Sequence, residues 1–360
     1  MPFRDLPVSS PAPREAWLAL LRSSAEALAF QTPTWLDCIC EVGGYADASR
    51  LYELAGGRFL VLPMVRRVGW PGPLTIEASL PFVWGPGGPV AAGVVQREEA
   101  AAVLGDLARR IVLRTSLRPN PLTGATWAAI APPGVSATPC LAHVLDLDGG
   151  FGQVWARRFT STARAAVRKA ERSSLVVECD TSGRLVPVFY DLYRRSIERW
   201  ARQQREPLLL ARSRAHWHDP PRKFQTVARR LGDACRIWVA WLDGQAAAAI
   251  IVLQRGANAS YWRGAMDKEL AGPPRANALL HRLAIEDACR AGCRYYHLGE
   301  TGPSASLAQF KEELGGRAYP YAEYLLERLP LARTERRLRR LVKGAIQLTY
   351  AHTRRRSRQR

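Results

Sequence analysis

The sequence predicts an α+β fold of two modules, each a mixed, mostly antiparallel sheet flanked by helices, followed by a basic C-terminal helix. Three consecutive strand-like stretches are separated by the pairs Asp243-Gly244 and Arg255-Gly256, which favour tight hairpin turns. A helical stretch over residues 274–291 comes next, with Pro274 at its start and Gly292 after its end, as helix termini prefer. The α+β prediction depends on this change from a strand pattern to a helix pattern.

The second half of the chain continues the alternation to its end. Its predicted strands and helices are, in order, strands 236–242, 245–253 and 257–264, helix 274–291, strand 293–298, helix 304–314 and strand 321–328. Helices are also predicted over residues 151–172, with Ser161 or Thr162 as a cap, and over residues 183–203 and 221–231, with a strand over residues 175–179.

The first half reads as a smaller α/β unit. Its predicted helices cover residues 14–30, 34–42 and 98–113, and its predicted strands cover residues 49–54, 58–65, 127–130 and 141–147. The first two strands flank Ala55-Gly56-Gly57, a hairpin signal. A boundary at Asp148-Gly149-Gly150 predicts modules over residues 1–150 and 151–330, with a tail over residues 331–360.

Composition and charge narrow the partners and the compartment. The chain has 360 residues, 47% of them apolar, and a formal net charge of +20, which favours a large core and anionic partners. No apolar run approaches the roughly 20 residues of a membrane span, and the N-terminus lacks the apolar segment of a signal peptide. The seven cysteines include no Cys-x-x-Cys pair. We expect a cytoplasmic protein with reduced thiols and no metal site.

The tail and one helix carry much of the positive charge. Eleven Arg or Lys residues stand against Glu335 in residues 331–360. Residues 334–348 are predicted to form an amphipathic helix suited to an anionic membrane surface or RNA, although a merely solubilising tail has the same composition. In the helix after the boundary, Arg164 and Arg168 share a face and Lys169 follows, so this helix is a candidate phosphate site; a solvated helix face is the alternative.

The start of the 274–291 helix is a candidate anion site. A helix start offers free N–H groups and a partial positive charge, and Arg275 adds a full charge there. Asn277 and His281 are four residues apart and share one face of the same helix. An ordinary capped helix with a packed histidine would show the same pattern.

Two further segments carry candidate residues. Trp262 and Arg263 end the strand that faces the helix start, where an aromatic and a cation suit a ligand cleft as well as a core position with a surface charge. Glu300 follows a strand and is a candidate base for an amine nucleophile. Lys311, on the short helix, is a candidate to hold an anionic carbonyl oxygen or a carboxylate.

The order of these residues resembles the C-terminal module of the FemAB-like branch of the GNAT acyltransferase superfamily. The segments that carry the resemblance are Arg275-Ala276-Asn277-Ala278-Leu279-Leu280-His281, Gly292-Cys293-Arg294-Tyr295-Tyr296-His297-Leu298-Gly299, Leu307-Ala308-Gln309-Phe310-Lys311 and Leu314-Gly315-Gly316. Upstream, Ser161-Thr162-Ala163-Arg164 and the basic residues after it are similar to the helix that precedes this module. The resemblance spans about residues 151–330 and reaches the first 150 residues in layout only.

The resemblance implies an N-acyltransferase with two GNAT-like modules. Such proteins move an acetyl, acyl or aminoacyl group from acyl-CoA or aminoacyl-tRNA to an amine, often on a peptidoglycan or glycan precursor of the cell envelope. The resemblance places Lys311 near the transferred group, and it places Asn277 and His281 on the helix that lines the cleft. Where acetyltransferases have a glycine-rich loop that holds the CoA pyrophosphate, this chain has Gly272-Pro273-Pro274-Arg275, whose prolines lack N–H groups. The donor therefore stays open.

Two function classes follow from the sequence. In the first, a base such as Glu300 removes a proton from an amine, which attacks the acyl carbonyl while backbone N–H groups or Lys311 stabilise the oxyanion. No Ser/His/Asp or Cys/His signature for a covalent intermediate is found. In the second, the protein keeps the fold but only binds polyanions or membrane surfaces, as its charge suggests.

Overall fold

The computed structural model describes residues 6–130, 135–302 and 304–328. Its strands are β1 Val8–Ser9, β2 Tyr45–Asp47, β3 Arg50–Leu54, β4 Arg58–Leu62, β5 Val65–Arg67, β6 Ile76–Ala78, β7 Val90–Ala91, β8 Arg114–Leu117, β9 Ser136–Asp146, β10 Leu175–Asp180, β11 Cys235–Leu242, β12 Gln245–Arg255, β13 Asn258–Met266, β14 Tyr295–Glu300 and β15 Arg317–Glu327. Its helices are α1 Arg14–Ser23, α2 Pro33–Val42, α3 Arg97–Ala108, α4 Gly124–Ala128, α5 Gly150–Gln153, α6 Ser161–Glu171, α7 Val186–Gln204, α8 Leu208–His218, α9 Pro221–Leu231, α10 Lys268–Ala271, α11 Ala276–Arg290 and α12 Ala305–Glu313, with a π-helical turn over Val154–Arg158.

A mixed sheet of eleven strands runs through the molecule in the order β10-β11-β12-β13-β14-β9-β15-β8-β6-β5-β2. A second sheet of four strands has the order β1-β3-β4-β7. Most neighbours are antiparallel; the β13–β14 and β6–β8 pairs are parallel. This arrangement confirms the predicted α+β class with a mixed sheet flanked by helices.

The two halves of the chain repeat one topology. In the first half, β6 is followed by α3, the parallel strand β8, helix α4 and strand β9. In the second half, β13 is followed by α11, the parallel strand β14, helix α12 and strand β15. The last strands are exchanged, because β9 pairs with β14 and β15 pairs with β8. The large sheet thus contains strands from both sides of residue 150. The module boundary proposed at that residue stays a prediction.

Two apolar cores lie on opposite faces of the large sheet. One core joins α1, α2, α7 and α9 to inward-facing residues of β11, β12 and β13. The other joins α6 and α11 to the opposite face of the same strands. In the first core, Trp35 of the N-terminal half lies edge-on to Trp262 of β13, with ring centroids 5.2 Å apart. This contact packs the two halves together.

The secondary-structure predictions hold for most of the second half and fail at identifiable places. Residues 127–130, predicted as a strand, belong to or follow helix α4, in which Trp127 packs beneath Tyr324 of β15. The predicted helix over residues 151–172 is broken before α6, and Thr160 caps α6 instead of Ser161 or Thr162. Helix α8 was not predicted. The predicted tail helix lies outside the described residues.

No helix within the described residues is both long enough and apolar enough to span a bilayer. All seven cysteines carry free thiols.

Candidate active site

Strands β13 and β14 part after a short parallel contact. They pair only from Asn258 to Ser260 on one strand and from Tyr295 to His297 on the other. Each strand has a bulge just beyond this paired stretch. The bulge of β13 is at Trp262, in its pairing with β12, and the bulge of β14 is at Leu298, in its pairing with β9. Because bulges bend strands, they account for the divergence. We call the opening between the two strands the split.

A large cavity lies on the α11 side of the sheet, beside the end of β13. It has a volume of about 980 Å³ and is formed by α6, α10, the start of α11 and the end of α12. Its charged lining residues are Arg168, Lys169, Lys268, Arg275 and Glu313, so cations exceed acids. We call it the donor cavity; it contains the predicted residues Arg168, Lys169, Arg275 and Asn277.

The start of α11 faces the donor cavity without a side-chain cap. Arg275 is the N-cap residue, has a left-handed backbone with φ of 63°, and makes no capping hydrogen bond. No acidic residue lies in the first turn. The Asn277 amide Nδ2 donates to Met266 Sδ at 3.1 Å, which holds this side chain against the end of β13. The positive end of the helix dipole is therefore left for an anion.

A second cavity, of about 290 Å³, lies on the opposite face of the sheet. It is lined by the parted ends of β13 and β14, by Phe82 and Val83 of the first half, and by Arg118 and Tyr321. We call it the acceptor cavity. It contains three of the predicted residues, namely Trp262, Arg263 and Glu300. The two cavities flank the split.

Glu300 is the acidic group of the acceptor cavity, and its carboxylate is 44% exposed. Tyr321 donates a hydrogen bond to Oε2 at 3.2 Å, and the Arg118 guanidinium lies 3.5 Å from the same oxygen. Among the described residues no hydrogen bond is made to Oε1. Two fixed contacts orient the carboxylate while one oxygen stays free to accept a proton or an ammonium group.

The acceptor cavity also holds buried polar atoms that lack partners. Ser260 Oγ and Trp262 Nε1 make no hydrogen bond within the described part of the chain. Buried polar groups are normally paired, and unpaired ones mark places where a ligand or water binds. Trp262 thus has two roles, since its ring packs in the core against Trp35 and Phe224 while its edge lines the cavity.

A buried ionic network fixes one wall of this cavity. Arg263 and Lys223 both donate to the carbonyl of Val83, at 2.5 and 3.0 Å, and both contact the Asp219 carboxylate. Val83 has a φ of 71°, which is strained for a β-branched residue, so these two bonds hold an unfavourable conformation. Burial lowers the pKa of Lys223 to about 7, against the attraction of Asp219. Arg263 is therefore a wall residue whose guanidinium is already engaged.

Sequence reasoning missed several residues of this cavity. Arg118 and Tyr321 come from distant segments that only the exchanged strands bring together. The signal for Lys223 was present, because Lys223 lies four residues before the buried Val227 and therefore on the apolar face of α9. A lysine on an apolar face needs a buried acid, and Asp219, one turn earlier, supplies it at 2.7 Å.

Lys311 lines neither cavity, and its ammonium group is engaged in hydrogen bonds. Its side chain is buried, and its ammonium donates to the carbonyls of Gly299 and Glu300 and to Thr301 Oγ1, at 2.9, 2.8 and 2.9 Å. An ammonium group has three donors, and all three are used. Burial lowers the pKa of Lys311 to about 8. In this geometry Lys311 positions the end of β14, and with it Glu300, while its predicted contact with the acyl group stays a prediction.

His281 is a packing residue. It lies one turn beyond Asn277, but it is buried between the rings of Tyr261 and Phe310 and bonds to the Tyr296 hydroxyl at 3.3 Å. Burial, followed by the nearby charge of Lys311, lowers its pKa to about 3. His281 lines neither cavity, and its predicted place on the cleft stays a prediction.

Arg164 is likewise engaged elsewhere. Its guanidinium donates to the carbonyls of Trp155, Ala156 and Phe159 at the end of the π-helical turn. The helix ends at Arg158 and a new one starts after Thr160, so Arg164 supplies donors to the carbonyls of this helix end. Of the three cations predicted on this helix, Arg168 and Lys169 line the donor cavity and Arg164 serves as a structural cap.

Comparisons with known proteins agree with this fold. A family profile described as an acetyltransferase (GNAT) domain matches residues 157–312. The crystal structure of FemX aligns with a TM-score of 0.64 and 11% identity over 94% of this chain and 100% of FemX. A conserved protein of unknown function from Bacteroides thetaiotaomicron VPI-5482 aligns with a TM-score of 0.53 and 10% identity, covering 89% of this chain and 99% of that one.

A tandem GNAT protein from the clavulanic acid biosynthesis pathway aligns with a TM-score of 0.47 and 18% identity over 91% of this chain and 99% of that protein. No curated protein sequence matches the chain. The fold and the matched domain define an acyltransferase. Residues 157–312 match the GNAT acetyltransferase domain, and the fold of the chain is that of FemX, as the FemAB-like resemblance in the sequence predicted.

Proposed function

We propose that the protein transfers an acyl group from acyl-CoA to an amine of a cell-envelope, glycan or related small-molecule precursor. The observation that carries this proposal is the split, with one cavity on each face of the sheet. A donor held on the α11 side can pass its carbonyl between β13 and β14 and meet an amine held on the other side.

The donor cavity suits the phosphates and the arm of a coenzyme A thioester. The uncapped start of α11 offers N–H groups and a positive dipole to a pyrophosphate. Arg168 and Lys169 add charge from the facing helix, and Lys268 adds charge from α10. The rest of the lining is largely small and apolar, with Ala165 and Ala278 among it, which suits an extended pantetheine arm.

Glu300 is proposed as the general base. The amine nitrogen attacks the thioester carbonyl, a C–N bond forms, and the amine proton passes to Oε1 of Glu300. The C–S bond then breaks and coenzyme A leaves as the thiolate. Main-chain N–H groups of the parted strands are the proposed oxyanion donors, because the Lys311 ammonium is fully engaged.

The acceptor cavity favours an amine that also carries polar groups. Glu300 attracts an ammonium group, while Ser260 Oγ and Trp262 Nε1 are available to hydroxyl or carbonyl oxygens. Hydroxyl-rich amino sugars and peptide-like precursors have this combination. The walls contributed by Phe82 and Val83 make the acceptor site dependent on both halves of the chain.

Two alternatives use the same surfaces. An aminoacyl-tRNA donor presents an ester carbonyl in place of a thioester and would place a terminal nucleotide at the start of α11. A non-catalytic protein would bind polyanions through Arg168 and Lys169 alone. The cavity volume of about 980 Å³ favours the coenzyme A donor, since it is in the range of small-molecule sites.

The test is release of coenzyme A thiol from acetyl-CoA and longer acyl-CoAs in the presence of a panel of amino sugars and peptide amines. We expect Glu300→Gln to lower kcat by about 100-fold with unchanged donor affinity. Glu53→Gln, an exposed site on β3, is the matched control. Full activity of the Glu300 variant would remove Glu300 as the base.

Thermal stabilisation separates the donors. Acetyl-CoA should raise the Tm in moderate salt, because it binds the folded state. Stabilisation by bulk tRNA alone, lost as salt rises, would point to polyanion binding instead.

A further inference from the structure

Large apolar side chains are exposed on three elements, one of which, the loop after β6, lines the acceptor cavity. They are Trp70, Phe82, Leu209, Leu210 and Trp217, which are 58%, 65%, 81%, 47% and 71% exposed. We call them the aromatic patch. They come from three separate elements: the loop after β5, the loop after β6, and helix α8. Single exposed apolar residues are ordinary, but a group that includes two tryptophans marks an interaction surface.

Direct contacts show that these elements adjoin. The Arg67 guanidinium, at the end of β5, lies 5.9 Å from the ring of Trp217. The rings of Phe82 and His218 are 6.0 Å apart, which joins the loop after β6 to the end of α8. Leu210 and Trp217 are seven residues apart and share one face of α8.

The charge around the patch is positive. Arg66 and Arg222 are exposed, and neither they nor Arg67 form an ion pair with any residue that the structure describes. The acidic Glu206 near the start of α8 is already paired with Arg214. The exposed tryptophans thus lie close in the chain to arginines that have no ion-pair partner among the described residues. This combination complements an anionic surface with an apolar interior.

We propose that the aromatic patch binds the surface of an anionic lipid bilayer. Tryptophan prefers the boundary between headgroups and acyl chains, where Trp70 and Trp217 would lie. Each arginine near an acidic bilayer contributes about 1 kcal/mol, so Arg66, Arg67 and Arg222 add to the binding. The exposed side chains of the patch are spread over three separate elements, which suits a deformable lipid surface better than a protein partner.

This surface is distinct from the basic tail over residues 331–360, which the sequence predicts as a separate membrane or RNA site. It also lies at the mouth of the acceptor cavity, because Phe82 belongs to both. If the proposed acyl transfer is correct, an acceptor attached to lipid could enter the cavity from the bilayer surface. Membrane binding itself is independent of turnover and is tested without substrate.

The experiment uses the full chain and vesicles of phosphatidylglycerol and phosphatidylcholine whose acyl chains carry bromine, a quencher of tryptophan fluorescence. Insertion of the patch should quench part of the emission, and Trp70→Phe with Trp217→Phe should lower the quenched fraction at least about twofold. Trp241→Phe, on β11 outside the patch, should leave the quenched fraction nearly unchanged. Because only tryptophans in contact with acyl chains are quenched, binding through the tail alone gives no such difference.

Vesicle co-sedimentation provides the second measurement. Leu209→Ser with Leu210→Ser should weaken binding by about tenfold, because two exposed leucines lose their contact with lipid. Val176→Ser, at a site on β10 that is 66% exposed, is the matched control. Equal quenching in the tryptophan variants and the parent, or equal sedimentation of the leucine variants, would overturn the proposal. Self-association through the patch without vesicle binding would overturn it as well.

Discussion

The two halves of the chain share a topology but differ at one helix start. In the first half, Glu99 of α3 accepts a hydrogen bond from the Gln96 N–H at 2.8 Å and pairs with Arg58. In the second half, α11 has neither a side-chain cap nor an acid in its first turn. The first helix start is thus closed by its own carboxylate, and the second is open to an anion.

From this difference we infer that the first half gives structural support and that the second half carries the proposed chemistry. The first half keeps the parallel pair and the crossover helix, but Glu99 accepts from the Gln96 N–H and places a negative charge in the first turn of α3. The same half supplies Phe82, Val83 and Arg118 as walls of the acceptor cavity. The second half leaves its helix start unsatisfied beside a large cavity, which is the arrangement that a ligand with phosphates requires.

The largest expected effect comes from filling the donor cavity. Ala165 is an exposed residue of α6 that lines the cavity, so Ala165→Trp should block it without disturbing a core. We expect the affinity for acetyl-CoA, measured by calorimetry, to fall about 100-fold or more, equivalent to ~2.7 kcal/mol. Ala19→Trp, on an exposed site of α1, controls for the added ring. Unchanged affinity would place the donor elsewhere.

A smaller effect should follow when the open helix start is made to resemble the closed one. Asn277→Asp adds one negative charge at the start of α11 with almost no change of shape. We expect about tenfold weaker binding of acetyl-CoA, because the added carboxylate repels phosphate, while the helix itself is not weakened. Gln96→Glu adds the same charge at the start of α3 and should leave donor binding unchanged. Equal losses in both variants would show that net charge alone matters.

The smallest effect concerns the residues that support the split. Burial lowers the pKa of His281 to about 3, so the unfolded chain binds a proton at pH 6 that the folded chain does not. Stability conferred by neutral His281 is therefore present above the unfolded pKa and is lost as the pH falls towards 3. When the pH is lowered from 7.5 to 6, the unfolding free energy of the parent should fall by about 1 kcal/mol more than that of the His281→Gln variant.

Urea denaturation at the two pH values measures this difference. His216→Gln, at an exposed site on α8, is the matched control. If the His281 variant also behaves as the parent does, the histidine is not buried in the neutral form.

Much of this architecture could be predicted because local signals agree with it. Turn pairs such as Asp243-Gly244 fixed the hairpins, and Pro274 and Gly292 bracketed α11 closely. The strand predicted over residues 127–130 was wrong. An aromatic residue such as Trp127 next to small apolar residues fits a strand as well as the short helix that packs on β15. Helix α8 was missed because its apolar residues face outward and give no core-facing period.

The site could be predicted only in part. The proposed anion site at Arg275 and the proposed base Glu300 lie at a helix start and a strand end, which sequence patterns mark. The split depends on two bulges in strands that are 36 residues apart, between Trp262 and Leu298, and no local pattern encodes their alignment. The role of Lys311 depended on where its ammonium bonds, which only the fold decides.

A crystal structure of the chain with coenzyme A is the most direct test of the central claim that donor and acceptor meet across the split. The account predicts the pyrophosphate at the start of α11, near Arg168 and Lys169, with the thiol directed between β13 and β14 towards Glu300. Coenzyme A bound at the start of α3, or wholly within the acceptor cavity, would contradict it.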